Sequence, residues 1–253
     1  MVEASKPVIM LVPGMLLRAA HYRKVVELLR QQGYEVFILA LATSADADIN
    51  TALDMTDDHR ALQEVLLPVL DQGKKVVIVA HSYGNLPAST AVIGHSTAER
   101  SARGLKGGVE ALITVAGYAF PARGKSFMND DNDPPIASWI TVSDGILQLK
   151  DSSKSIMFND LTDHEANEAW LLLFKQQTWK SMCAFPEYIT ADVTVPKTYV
   201  ICEKDQIIPA PYQDVIVQYG KYDHVVRLPS GHIPFLSVPD KVLEVIVEVA
   251  AKI

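Results

Sequence analysis

Four short apolar runs, PVIMLV (7–12), EVFILA (35–40), KVVIVA (75–80) and ALITVA (111–116), alternate with segments of helical spacing. The first is rich in β-branched residues and is ended by Pro13-Gly14, as a buried strand would be. Residues 19–32 place Val25, Val26, Leu28 and Leu29 on one side of a helix stopped by Gly33. Residues 56–72 predict a second helix, with Thr56 as N-cap, Asp57 and Asp58 in its first turn and Gly73 at its end. A third runs from about Tyr83 to Thr97. Strands that alternate with helices form a parallel sheet covered on both faces, which explains why the runs are apolar throughout rather than every second residue.

The rhythm breaks from Tyr118 to about Asp192. That stretch is aromatic and irregular, carries Pro134-Pro135, and predicts a helix near 163–180. The strand-helix pattern returns with KTYVIC (197–202), a helix near 211–219, HVVRL (224–228) and a last helix from about Pro239. The expected architecture is α/β: a mostly parallel sheet of about six strands with helices on both faces. Residues 1–117 and 193–253 form the core, and residues 118–192 form an inserted helical cap.

The 253 residues carry a net charge of -7, so there is no basic field to attract nucleic acid or an anionic membrane. Apolar runs fall short of the ~18 residues that span a bilayer. The N-terminal stretch lacks a secretory pattern, because Glu3 precedes its apolar part and Pro13 interrupts it. A cytoplasmic address is the expectation. Cys183 and Cys202 read as two buried thiols rather than a disulfide scaffold.

Chemistry concentrates at VVIVAHSYGN (76–85), where an apolar strand runs abruptly into Ala80-His81-Ser82-Tyr83-Gly84. A strand, a sharp turn and a helix around x-x-S-x-G place a serine hydroxyl clear of the strand's carboxyl end. Small neighbours let strand and helix approach. A serine that merely starts a helix would look similar. The partners separate these readings. Such triads run Ser, acid, His along the chain, each beyond a strand end. Glu203-Lys204-Asp205-Gln206 follows the strand at 197–202, and Pro229-Ser230-Gly231-His232 follows that at 224–228. Asp205 would orient the imidazole of His232, which would take the Ser82 proton and return it to the leaving group. Glu203 is the competing acid, placed closer to the strand end. Stabilising an oxyanion needs two N–H donors, expected from Tyr83 and, across the loop after the first strand, Met15; Gly14 lets that loop turn closely.

With these motifs in place, VPGM, AHSYGN, YVICEKDQIIP and PSGHIPFLSVP resemble the α/β-hydrolase superfamily over nearly the whole chain. They look most like its small branch of plant methylesterases, hydroxynitrile lyases and fungal and bacterial esterase-like proteins. IMFNDLTDHEANEAWLLLFKQQTWKSM is similar to the cap of that group. The resemblance implies the α/β-hydrolase fold. It also bears on the reaction. Hydroxynitrile lyases carry threonine where Gly14 stands and lysine where Ile233 follows His232, so the resemblance implies hydrolysis rather than cyanide release. Pro13 stands where many relatives have histidine.

Phe120, Phe127, Trp139, Phe158, Trp170, Phe174, Trp179 and Phe185 give the cap an aromatic character. Most such rings pack a cap onto its core. The expected substrate-binding set is Gly14, Leu16, Tyr118, Phe120, Trp139, Phe158, Trp170, Ile207 and Ile233. The expected function is a serine hydrolase acting on an apolar carboxylic ester, thioester or lactone, a small-molecule acyl substrate. A lyase or cyclase using the triad as an acid-base pair is the alternative, as is a small-molecule receptor. No cofactor is implied: metal-ligand spacing and G-x-G-x-x-G are both missing, and DDND (130–133) beside two prolines reads as a solvated loop. His81 should point away from the site, and His21, His59, His95, His164 and His224 read as surface or locally bonded. Apolar edges leave a homodimer possible.

Overall fold

A computed structural model describes residues 6–253. The core strands are β1 (Val8–Val12), β2 (Val36–Ile38), β4 (Lys75–His81), β5 (Gly108–Val115), β9 (Lys197–Cys202) and β10 (His224–Leu228), after a short β3 (Ser44–Ala45) that lies elsewhere. They form one sheet in the order β10-β9-β5-β4-β1-β2, and every pairing is parallel. All five residues of β1 and all six of β9 are buried, as strands covered on both faces must be. Among the described residues, no helix is long and apolar enough to cross a membrane.

Helices α1 (Arg23–Gln31), α2 (Met55–Asp71), α3 (Asn85–Val92), α4 (Thr97–Ser101), α5 (Ser153–Met157), α6 (Asp163–Leu172), α7 (Ala210–Gly220), α8 (Pro234–Ser237) and α9 (Pro239–Ala250) complete the chain. Several ends differ from expectation for local reasons. Asp54, not Thr56, caps α2: its side chain accepts from the Thr56 amide, and the Asp57 carboxylate returns to the Asp54 amide. The helix expected over Tyr83–Thr97 opens with a short 3-10 turn. It then stops near Gly94 (φ +76°) and restarts at a capping box on Ser96 and Glu99.

The cap is less helical than expected. A four-stranded antiparallel sheet, β3-β8-β7-β6, is made from β6 (Ile140–Ser143), β7 (Ile146–Leu149), β8 (Gln176–Thr178) and the β3 strand of the core segment. The helix expected to reach residue 180 ends at Leu172, because the Phe174 amide is taken by the Leu16 carbonyl and β8 pairs with β3. Tertiary hydrogen bonds override helical spacing here. Cys183 is half-buried rather than buried; Cys202 is buried, and both are free thiols.

At the sheet's centre β1 and β4 pair in register, Val12 opposite Ala80. The loops that leave their carboxyl ends therefore start side by side. A Cβ on Gly84 would lie 2.3 Å from the Pro13 carbonyl oxygen and 2.8 Å from that of Val12. Gly84 is thus required by the neighbouring loop's backbone, beyond the strand-helix approach within its own turn. Gly84→Ala should destabilise the fold by about 1–3 kcal/mol, the usual cost of overpacking, read as a lower urea midpoint with unchanged slope.

His21 and His81 are fully buried, and His21, His59, His81 and His95 are all held below the ordinary imidazole pKa of 6.5, chiefly by desolvation. Below pH 6.5 the unfolded chain binds protons that these folded imidazoles refuse. The stability they contribute is present above about pH 6.5 and lost as pH falls toward their folded values. Buried Asp58, raised by desolvation, works in the opposite sense from pH 3.8 upward. The melting temperature should drop between pH 7 and 5, and the drop should be smaller in His81→Gln.

Candidate active site

Ser82 leaves β4 with φ +52°, a left-handed conformation that is strained for a residue with a side chain. That backbone brings its hydroxyl to the loops beyond β9 and β10. His232 Nε2 lies 2.9 Å from Ser82 Oγ, and His232 Nδ1 lies 2.7 Å from Asp205 Oδ2. All three are nearly inaccessible to solvent. An ionised Asp205 can only accept, so Nδ1 carries the proton and Nε2 is free to receive the serine's.

Asp205 is itself held. Its Oδ1 accepts from the amides of Ile207 (2.7 Å) and Ile208 (3.0 Å), and buried Gln213 donates to Oδ2 at 3.2 Å. Glu203 is exposed, and its amide bonds the Leu228 carbonyl at the strand end. The residue hydrogen-bonded to His232 is therefore Asp205. Both partner loops are clasped by the cap: Asn159 Nδ2 donates to the Lys204 carbonyl (2.9 Å), and the Gly231 amide donates to Asp160. A Cβ on Gly231 would fall 2.4 Å from Asn159 Oδ1, so this clasp needs glycine beside His232.

The loop after β1 lies against the serine turn. A Cβ on Gly14 would be 3.0 Å from Ser82 Cβ. The Gly14 amide donates to the Tyr22 hydroxyl (2.9 Å) and the Leu16 amide to Gln177 Oε1 (3.1 Å). The Leu16 carbonyl accepts from the Phe174 amide (2.9 Å), while Leu16 itself is at φ +62°. The Met15 amide sits between two amides fixed in this way and has no acceptor among the described residues. The Tyr83 amide lies at the first turn of a helix, where N–H groups lack an intrahelical partner. The Tyr83 ring serves a different end: its hydroxyl donates to buried Asp58, which also accepts from the Thr43 hydroxyl (2.7 Å) and amide (3.1 Å). Burial raises both the Asp58 and Tyr83 pKa values.

Above Ser82 and His232 is a cavity of about 190 Å³. Met15, Tyr83, Tyr118, Trp139 and Ile207 line it, as do Phe127 and Trp179. Leu17, Met128, Pro134, Pro135, Leu147, Met157 and Met182 are among the other residues of a mostly apolar wall. Several residues expected to bind substrate lie elsewhere. Leu16, Phe120, Phe158 and Ile233 are buried in the main hydrophobic core, outside the lining. Gly14 lies beneath Ser82, and Trp170 borders a surface groove with Lys150 and Phe174. Phe174 is stacked under Arg18 at 3.8 Å, and Phe185 is exposed. Sequence reasoning missed Met128, Met157 and Met182 of the wall, which follow no period, and the braces Tyr22, Asp58, Asn159, Asp160 and Gln177. Only Asp58 had a local reading, as a first-turn acid of α2.

Residues 9–245 match the alpha/beta hydrolase family. An alpha/beta hydrolase from Aspergillus novofumigatus, nvfD, is 29% identical over 247 residues, covering 95% of each chain. Among solved structures, a pyrethroid hydrolase from Sphingobium faniae superposes with a TM-score of 0.72 at 20% identity, covering 98% of both chains. A methylesterase from Arabidopsis gives 0.73 at 16% identity, covering 98% of this chain and 100% of its own. At these identities the solved structures speak for the fold, and the sheet order, the serine turn and the family match agree. The chain belongs to the alpha/beta hydrolase family.

Proposed function

We propose that this chain is a serine hydrolase that cleaves a neutral, apolar carboxylic ester, thioester or lactone through an acyl-enzyme. The observation that carries the reading is the line Ser82 Oγ–His232 Nε2–Asp205 at the floor of an apolar cavity. Ser82 Oγ attacks the substrate carbonyl as His232 Nε2 takes its proton. The oxyanion that forms faces the Met15 and Tyr83 amides, which sit in a low-dielectric pocket where a dipole counts for more than in water. Collapse expels the leaving group, protonated by His232. Water then attacks the acyl-enzyme with His232 again as base. Asp205 stays ionised throughout and stabilises the imidazolium.

The cavity wall presents no charged side chain beyond the triad, so a charged acyl group would lose its hydration without compensation. This favours neutral substrates. The names of the fungal relative, the pyrethroid hydrolase and the methylesterase are in keeping with hydrolysis.

A fluorophosphonate probe should label Ser82, and Ser82→Ala should abolish labelling and lower kcat on short p-nitrophenyl esters by about 10⁴-fold or more. A folded protein that neither labels nor turns over such esters would sink the proposal. Full activity of Ser82→Ala on the natural substrate would point to acid-base lyase chemistry instead. Gln177→Ala frees the Leu16 amide and loosens the adjoining Met15 donor; kcat should fall about 10-fold with KM little changed, since misplacing a catalytic group by a fraction of an ångström costs rate rather than binding.

A further inference from the structure

Behind the serine, three hydrogen bonds join the loop after β1 to the backbone of the base. The Gly14 amide lies 2.9 Å from the Tyr22 hydroxyl, that hydroxyl 2.8 Å from His81 Nδ1, and His81 Nε2 2.8 Å from the His232 carbonyl oxygen. Tyr22 and His81 are fully buried. Chemistry fixes the direction of every link. The His232 carbonyl can only accept, so His81 Nε2 carries a proton. Burial keeps the ring neutral, so Nδ1 is bare and accepts from Tyr22. The Gly14 amide can only donate, so the Tyr22 oxygen receives it and sends its own proton on. Each donor in the chain has one acceptor, and one tautomer satisfies all of them.

We infer that Tyr22 and His81 are positioning residues: this relay locks the oxyanion loop and the main chain of His232 to one another and to the turn that carries Ser82. His81 is the residue immediately before the nucleophile, so the imidazole that holds the base is part of the strand that aims the serine. The His232 loop joins β10 to α8 without regular structure, and Gly14 belongs to a loop that must keep the Met15 donor in place. The bonds from Asp160 and Gln177 hold their neighbours Gly231 and Leu16, whereas the relay reaches Gly14 and His232 themselves, within the tolerance that catalysis needs. Ring packing reinforces the chain, with Tyr22 edge-on to Phe235 at 4.7 Å and His81 at 5.0 Å from the His232 ring. The inference rests on the hydrolase reading of the site, because it assigns the relay a role in that reaction.

Tyr22→Phe keeps the ring and its packing and removes two of the three links. His81→Leu fills much of the ring's volume and removes both the donor to the His232 carbonyl and the acceptor for Tyr22. For an ester that the wild type turns over, each variant should lower kcat about 10-fold at nearly constant KM. The double variant should be no slower than the slower single, because either change breaks the same chain. Losses that multiply, a rise in KM at constant kcat, or unchanged kinetics would each overturn the relay. A second readout needs no turnover. Nitrogen-15 NMR of histidine-labelled protein should show His81 as the neutral Nε2–H tautomer from pH 5 to 8, and Tyr22→Phe should shift the ring signals of His232, which Tyr22 does not touch. A titrating His81, or His232 signals indifferent to Tyr22→Phe, would refute the relay even if the wild type proves to be no hydrolase. Conversely, a wild type without labelling or turnover, but with the stated NMR pattern, would refute the reaction and leave the relay standing as architecture.

Discussion

The site depends on how closely two parallel strands let their exit loops approach. β1 and β4 are neighbours in register, so the loop carrying Met15 and the turn carrying Ser82 leave the sheet at the same level. Two glycines make the approach possible. Gly84 gives way to the Pro13 carbonyl, and Gly14 gives way to Ser82 Cβ. A side chain at Gly84 would force the loops apart, and one at Gly14 would require its neighbours to give by a few tenths of an ångström. The strained backbone of Ser82 is tolerated for the same reason: packing on both sides over-determines it.

The cap is more than a cover. It grips three separate core loops through hydrogen bonds: Leu16 by Gln177 and Phe174, Lys204 by Asn159, and Gly231 by Asp160. Those loops carry Met15, Asp205 and His232. Side-chain hydrogen bonds are individually modest, about 0.5–1.5 kcal/mol each. Their value here is geometric, since each removes a freedom from a loop without regular structure of its own. It also explains why the cap abandons helix for strand after Leu172. The chain must run extended past Leu16 and β3 to place Phe174 and Gln177.

The sheet was legible in the sequence because parallel strands announce themselves. VIMLV is apolar at every position and KTYVIC is mostly so, and β9 and β10 have the bounds their residues suggest. The serine turn and the order of acid and histidine were legible for a related reason: topology puts them just past strand ends, where a short local pattern suffices. Side-chain direction within the cap was not. Phe120 and Phe158 enter the core while Phe127 and Trp179 line the cavity, yet nothing in their spacing distinguishes them, because an irregular segment has no period to read. The braces were hidden for a different reason. Gln177 and Leu16 lie 161 residues apart, and only the folded chain brings an amide oxygen to that amide.

The same burial that hides these groups makes them effective. Asp58, Tyr83, Tyr22 and His81 form two polar clusters within the core behind the serine, both hydrogen-bonded and neither open to water. In such surroundings an unpaired polar atom costs more than a formed bond gains, so each cluster admits few arrangements. One cluster pins the ring of Tyr83 from the side of α2; the other ties Gly14 to His232 through His81. The serine turn is thereby held from two directions by groups that take no part in bond making. A mostly apolar cavity lies above Ser82 and His232, and satisfied polar clusters lie below them. That arrangement follows from the placement of Ser82 at the carboxyl end of β4, one of the two central strands of the sheet.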